Sequence, residues 1–194
     1  DRIPCIDGKT GDWNIVPDSY AIGSDELRET ELGIIEGSPD PNNLKILVKV
    51  GWVKGMNRLY FLYEADDNYW NMYYKRGDIF EVAVDGDLSG GEFINNAQIP
   101  DAMERHFRFK GVHAQNYHIF TPPGEGRDWA MVWGCQPWIR SLPYANHAYS
   151  YNFKEGESGH LILEFWITPF DYAPYDGPSG AVETKLEENK IIGL

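Results

Sequence analysis

Trp70 stands in the stretch Asn68-Tyr69-Trp70-Asn71, and Tyr73, Tyr74, Lys75 and Arg76 follow it before the alternating run that carries Glu81. An indole ring can stack on the apolar C–H face of a sugar. Asn71, Arg76 and Glu81 supply an amide, a guanidinium and a carboxylate to bond its hydroxyls. The segment has little apolar periodicity, so it reads as a loop-borne contact surface rather than core. Trp138 follows Pro137 and precedes Arg140 in an irregular stretch with Gln136, which makes it a second candidate platform. Trp129 and Trp133 share a strand face with Met131 and read at least as readily as core. On the run Leu161–Thr168, Glu164 and Trp166 share one face; either they line a groove or Glu164 meets solvent.

Carboxylates allow a different chemistry. A glycoside hydrolase needs two of them about 5–10 Å apart across a cleft, and Glu81 with Asp85, or Glu164 with Asp128 or Asp171, are the pairs to consider. Among 30 acidic residues such pairs arise easily, so Glu81 and Glu164 are catalytic candidates only on this alternative. Asp85-Gly86-Asp87-Leu88-Ser89-Gly90 has oxygen donors at positions 1, 3 and 5 and glycine at 6, like the start of a calcium loop. Position 12 is Asn96 and helical flanks are missing, so a glycine-rich hairpin turn is the preferred reading. His106, His113, His118, His147 and His160 are scattered without metal-ligand spacing. Haem would need a Met or His pair across a pocket, and nothing pairs Met56, Met72, Met103 or Met131 with a histidine. Nucleotide-binding and acyl-transfer fingerprints are missing from the sequence.

The elements that must position these residues are strands. Leu44, Ile46, Val48 and Val50 alternate with Lys45 and Lys49, and Arg58–Glu64 reads as the hairpin partner, with Leu59, Phe61 and Tyr63 on one face. Asp78–Asp85, Arg105–Lys110, Trp129–Trp133, His147–Phe153 and His160–Thr168 continue the series. Ser24–Glu31 and Pro100–Glu104 are the only short helical candidates. Gly 20 and Pro 12 in 194 residues supply the turns. The expectation is an all-β, antiparallel β-sandwich with jelly-roll or immunoglobulin-like layering, over residues 1–194 as a single domain. The 42% hydrophobic and 24% charged composition is that of a globular chain. No apolar run approaches the roughly 18 residues of a membrane span. The net charge of −13 repels phosphate backbones, which argues against nucleic-acid binding but not against neutral sugars. Aromatic residues reach 14%, with 7 Trp and 12 Tyr, more amphipathic rings than one small core readily hides. Cys5 and Cys135 permit one long-range bridge or two free thiols.

Three ordered stretches resemble family 9 carbohydrate-binding modules. They are Cys5-Ile6-Asp7-Gly8-Lys9 with Asp12-Trp13, then Asn57–Glu64 with Asp66-Asp67, then Gly77–Asp85. The resemblance covers roughly the first half of the chain. It implies non-catalytic binding of mono-, oligo- or polysaccharides beside a glycoside hydrolase or further domain, outside the cytoplasm, with structural calcium at Asp85, Asp87 and Ser89 as a candidate cofactor. It places a stacking Trp near Trp70; the second half of the chain matches no family pattern, and with the side-chain chemistry above the ligand-binding candidates are Trp70, Asn71, Arg76, Glu81, Trp138, Arg140, Glu164 and Trp166. The family's last strand runs on beyond an Ile-Gly-aromatic or Ile-Gly-Leu opening, whereas this chain stops at Ile192-Gly193-Leu194. The chain also starts at Asp1 without Met or a signal-like segment, so the expectation is a processed chain whose carboxyl-terminal end is missing.

Overall fold

The computed structural model describes residues 2–26, 40, 42–70, 79–89, 101–102, 111–121, 130–132 and 136–194. The described strands are β1 (Ile22–Gly23), β2 (Leu44–Trp52), β3 (Leu59–Asp67), β4 (Ile79–Val84), β5 (Gln115–Phe120), β6 (Ala130–Val132), β7 (Ala145–Tyr151), β8 (Gly159–Ile167), β9 (Phe170–Tyr172) and β10 (Val182–Glu183). All pairings are antiparallel. They make a five-stranded sheet in the order β1-β2-β3-β8-β7, a three-stranded sheet β4-β5-β6 and a small β9–β10 pair. The expected all-β antiparallel fold is the observed one.

The two main sheets pack face to face through alternating apolar positions. Leu59 and Phe61 of β3 and Leu163, Phe165 and Ile167 of β8 meet Val84 of β4 and Tyr117 and Ile119 of β5. Phe61 and Phe165 are register partners whose rings stack at 4.6 Å, and Phe80 of β4 stands edge-on to Phe165 at 5.9 Å. Such ring pairs add about 0.5–1.5 kcal/mol beyond the area they bury. Leu161, Ala65 and Ile46 continue the same inner face toward the opposite end of the sheet, where Trp70 and Phe153 close it.

The outer face of the five-stranded sheet is also covered. Residues of the amino-terminal segment, with 3-10 turns at Gly11–Ile15 and Asp18–Tyr20, lie across it, and Trp13 buries its indole among Tyr60, Leu62 and Trp166. Central strand β3 is thus apolar on both sides over Leu59, Tyr60, Phe61 and Leu62.

Several boundaries differ from those expected. Strand β5 escapes the alternation rule because its first inward residue is Gln115. That side chain is buried to serve backbone groups: its Oε1 accepts the Phe170 N–H at 3.0 Å and its Nε2 donates to Gly111 and Val112 carbonyls. Only a 3-10 turn, Ser24–Glu26, forms in the described part of the first helical candidate. The expected strand Arg105–Lys110 and most of Pro100–Glu104 lie outside the described residues. Gly193 pairs with Asp85 through two backbone hydrogen bonds of 2.8 and 3.0 Å, so the last residues extend the sheet next to β4. No helix among the described residues is long and apolar enough to cross a membrane.

Candidate functional site

Strand β7 carries its inward side chains at every second residue, and three of them are rings. His147 and Tyr149 have centroids 6.3 Å apart with planes within 7°, and Tyr149 and Tyr151 repeat the 6.3 Å step at 25°. This step is close to the two-residue advance of a strand, about 6.6 Å. The row continues past the strand: Tyr151 meets Phe153 at 5.2 Å, and Phe153 stacks on Trp70 at 4.2 Å and 5°. Exposure changes along it. His147 and Tyr149 are half-buried, Tyr151 is 48% exposed, and Trp70 is 3% exposed.

Trp70 is therefore not the open platform that its loop setting suggested. Its ring plugs the inner layer against Phe153, and its Nε1 donates to the Gly159 carbonyl at 2.8 Å. Tyr151 and Tyr69 are the exposed aromatics at that end of the sheet. Neither was singled out in the sequence, although the spacing 147, 149, 151 was readable as one face of a strand.

Glu164 lies neither on a groove nor in solvent. It is 0% exposed, on the outer face of β8, and its carboxylate is fully engaged by the amino-terminal segment. Oε2 accepts the backbone N–H groups of Asp7 (3.2 Å), Gly8 and Lys9 (2.9 Å), and Oε1 accepts Trp13 Nε1–H at 2.7 Å. Three successive N–H groups converge on one oxygen because Gly8 takes φ +79°, a conformation that favours glycine and forms an anion-binding nest. The Gly8 carbonyl in turn accepts the Ser150 hydroxyl of β7 at 2.8 Å. Burial raises the Glu164 pKa above the ordinary glutamate range, while the hydrogen bonds from Trp13 and from the Gly8, Asp7 and Lys9 backbones pull it back. The Ile-Asp-Gly and Asp-Trp stretch is thus a structural clasp in this chain.

Trp166 is likewise covered, at 6% exposure, with the Arg58 guanidinium 3.9 Å over its ring. Trp138 is half-buried: its Nε1 donates to the Pro174 carbonyl at 2.9 Å and its ring stands edge-on to Tyr144 and Phe170. Arg140 is exposed at the end of the 3-10 turn Pro137–Arg140. Asn71 and Arg76 lie outside the described residues, as do Trp129, Trp133 and Cys135; Cys5 is an exposed free thiol.

Glu81 keeps an open position on the outward side of β4. Its Oε1 accepts Asn116 Nδ2–H at 2.7 Å and lies 3.0 Å from His118 Nε2, both on neighbouring β5. Glu81 and Glu164 project from the outer faces of opposite sheets, so these two carboxylates do not face one cleft. In the turn after β4, the Ser89 N–H donates to Asp87 Oδ1 at 3.0 Å, and hydrogen bonding from Ser89 holds the Asp87 carboxyl below the usual range. Asp85 belongs to the bridge with Gly193. Among the described residues no group of three or more His, Cys, Asp or Glu side chains is placed to hold a metal ion.

Comparison with protein-family models, with curated proteins and with solved structures finds no match to this chain.

Proposed function

We propose that the chain is a non-catalytic carbohydrate-binding domain whose platform is the aromatic row of β7. The observation that carries this reading is the regular 6.3 Å advance of His147, Tyr149 and Tyr151 along one strand face, ending in a half-exposed tyrosine. Tyrosine and histidine present an apolar ring for C–H stacking together with a polar tip for hydroxyls. The net charge of −13 favours a neutral glycan over a polyanion.

On this reading the chain is a relative of family 9 carbohydrate-binding modules. It works outside the cytoplasm beside glycan-degrading enzymes, with a structural calcium ion at the Asp85–Ser89 turn as a further proposal. What supports the kinship is the order of the three sequence stretches together with an antiparallel sandwich. The test is calorimetric titration with neutral oligosaccharides, with reducing-sugar release measured in parallel. Binding without release, lost in Tyr151→Ala, is the expected result. Release of reducing sugar, or binding unchanged in Tyr151→Ala, overturns the reading.

A further inference from the structure

An aspartate followed by glycine can close its backbone on its own side chain, because glycine puts no Cβ in the way of the attacking nitrogen. The chain contains three such pairs, Asp7-Gly8, Asp85-Gly86 and Asp176-Gly177, and all lie among the described residues. The reaction is intramolecular. The glycine amide nitrogen gives its proton to solvent base and attacks the aspartate Cγ, the Cγ–O bond breaks, and water leaves. Water then opens the cyclic imide at either carbonyl. One opening returns aspartate; the other gives isoaspartate, with the main chain routed through the side-chain methylene. Closure needs a glycine N–H that is not held by an acceptor, a side chain that can turn back on it, and room for the backbone to bend.

Two of the pairs lack these conditions. The Gly8 N–H donates to the buried Glu164 carboxylate, and the Asp7 carboxylate accepts the Lys9 N–H at 3.1 Å and Lys9 Nζ at 3.0 Å. A Cβ at Gly8 would lie 3.2 Å from the Tyr149 carbonyl, so the backbone is also walled in. In the second pair, the Asp85 N–H and C=O bond to Gly193 at 3.0 and 2.8 Å. Gly86 is buried so closely that a Cβ would overlap the Thr184 side chain, which Asp171 Oδ1 holds at 2.7 Å.

The third pair meets them. Asp176 is exposed in the connection between β9 and β10. No acceptor among the described residues takes the Gly177 N–H. Gly177 adopts φ +130°, a conformation that favours glycine, and nothing lies within 4 Å of the place a Cβ would occupy.

We infer that Asp176 is the site of spontaneous isoaspartate formation in the folded chain, and that the amino-terminal clasp and the Gly193 bridge protect Asp7 and Asp85. The modification lengthens the main chain by one methylene two residues after Pro174, whose carbonyl accepts the Trp138 indole N–H at 2.9 Å. It is independent of any glycan bound by β7.

The test is incubation of the folded chain at pH 7 and 37 °C in water enriched in ¹⁸O, since each imide opening leaves one heavy oxygen behind. Digestion in ordinary water and fragmentation of the peptides by mass spectrometry then locate the label. A parallel incubation in concentrated urea is the reference in which no pair is protected. In the folded chain Asp176 is expected to gain label about tenfold faster than Asp7 or Asp85, whose hydrogen bonds must first open. In urea the three rates converge. Asp176→Glu abolishes the label at that position, because its ring would need a sixth member. No label at Asp176 in the folded chain, or equal label at Asp7 or Asp85, overturns the inference. So does an equal preference for Asp176 in urea, which would make the effect one of sequence alone.

Discussion

The two faces of the five-stranded sheet use the same kinds of residue for opposite ends. On the outer face, Glu164 and Lys49 stand at polar positions of the alternation, and both are buried. Glu164 collects the backbone N–H groups of residues 7–9, and Lys49 Nζ donates to the Val16 carbonyl at 2.9 Å and to Asp18 at 2.8 Å. Lys49 holds the Asp18 carboxyl below its usual range, first through that hydrogen bond and then through its charge. An anion takes the donors of the incoming segment and a cation takes an acceptor, so the charges fasten a cover. On the inner face, the aromatic row of β7 begins half-buried at His147 and ends at the half-exposed Tyr151. Charge holds the sheet closed on one side, and rings leave it open at one margin of the other.

This contrast makes the effects of substitution separable. The largest expected effect is that of Glu164→Ala, which leaves the Asp7 and Gly8 N–H groups and the buried Trp13 Nε1–H without an acceptor and lowers the unfolding free energy by about 3–5 kcal/mol. The midpoint and slope of a urea titration measure it; a loss under 1 kcal/mol would mean the cover is held by apolar contact alone. Gly8→Ala follows. A Cβ there lies 3.2 Å from the Tyr149 backbone in a φ +79° conformation, so a loss of about 1–2 kcal/mol is expected in the same titration. Tyr151→Ala reverses the pattern. Stability changes by less than about 1 kcal/mol while glycan affinity falls about tenfold, and a large stability loss with intact binding would erase the distinction between the faces.

The smallest effect is a pH dependence. Burial raises the folded-state pKa of Glu164, so the folded chain holds that proton more readily than the unfolded chain does. The stabilisation is complete below the ordinary glutamate value of about 4.3 and declines as pH rises through the raised folded value. The stability difference between wild type and Glu164→Gln is therefore expected to shift against the wild type from pH 4.5 to pH 7. Parallel urea titrations at the two pH values would detect it, and identical differences at both would show that Glu164 titrates normally.

Strands with regular alternation were legible in the sequence because a sheet buries one side chain in two. The pairing of β2 with β3 and the inward set Leu59, Phe61 and Tyr63 follow from that rule alone. What was not legible depends on distant partners. Nothing near Trp70 announces that Phe153 will stack on it or that the Gly159 carbonyl will accept its indole N–H. Alternation sets Glu164 on a groove or in solvent and Lys49 on the polar side of its strand, since a local pattern cannot register a third layer contributed by residues 2–20. Arg58 and Tyr151 carry no local signal, because each is a single residue inside or beside an ordinary strand. Their roles arise from what the fold places over them.

The clasp also has a consequence for biosynthesis. Residues 7–13 leave the ribosome well before β8, and the carboxylate they bind belongs to Glu164, some 150 residues later. Until β8 is made and paired, Trp13 has no indole acceptor, and Tyr60 and Leu62 lack their cover. A segment made before β2 and β3 is thus placed only after β8 has joined them. A nascent chain halted before β8 would therefore expose an adhesive aromatic surface to chaperones and to other copies of itself.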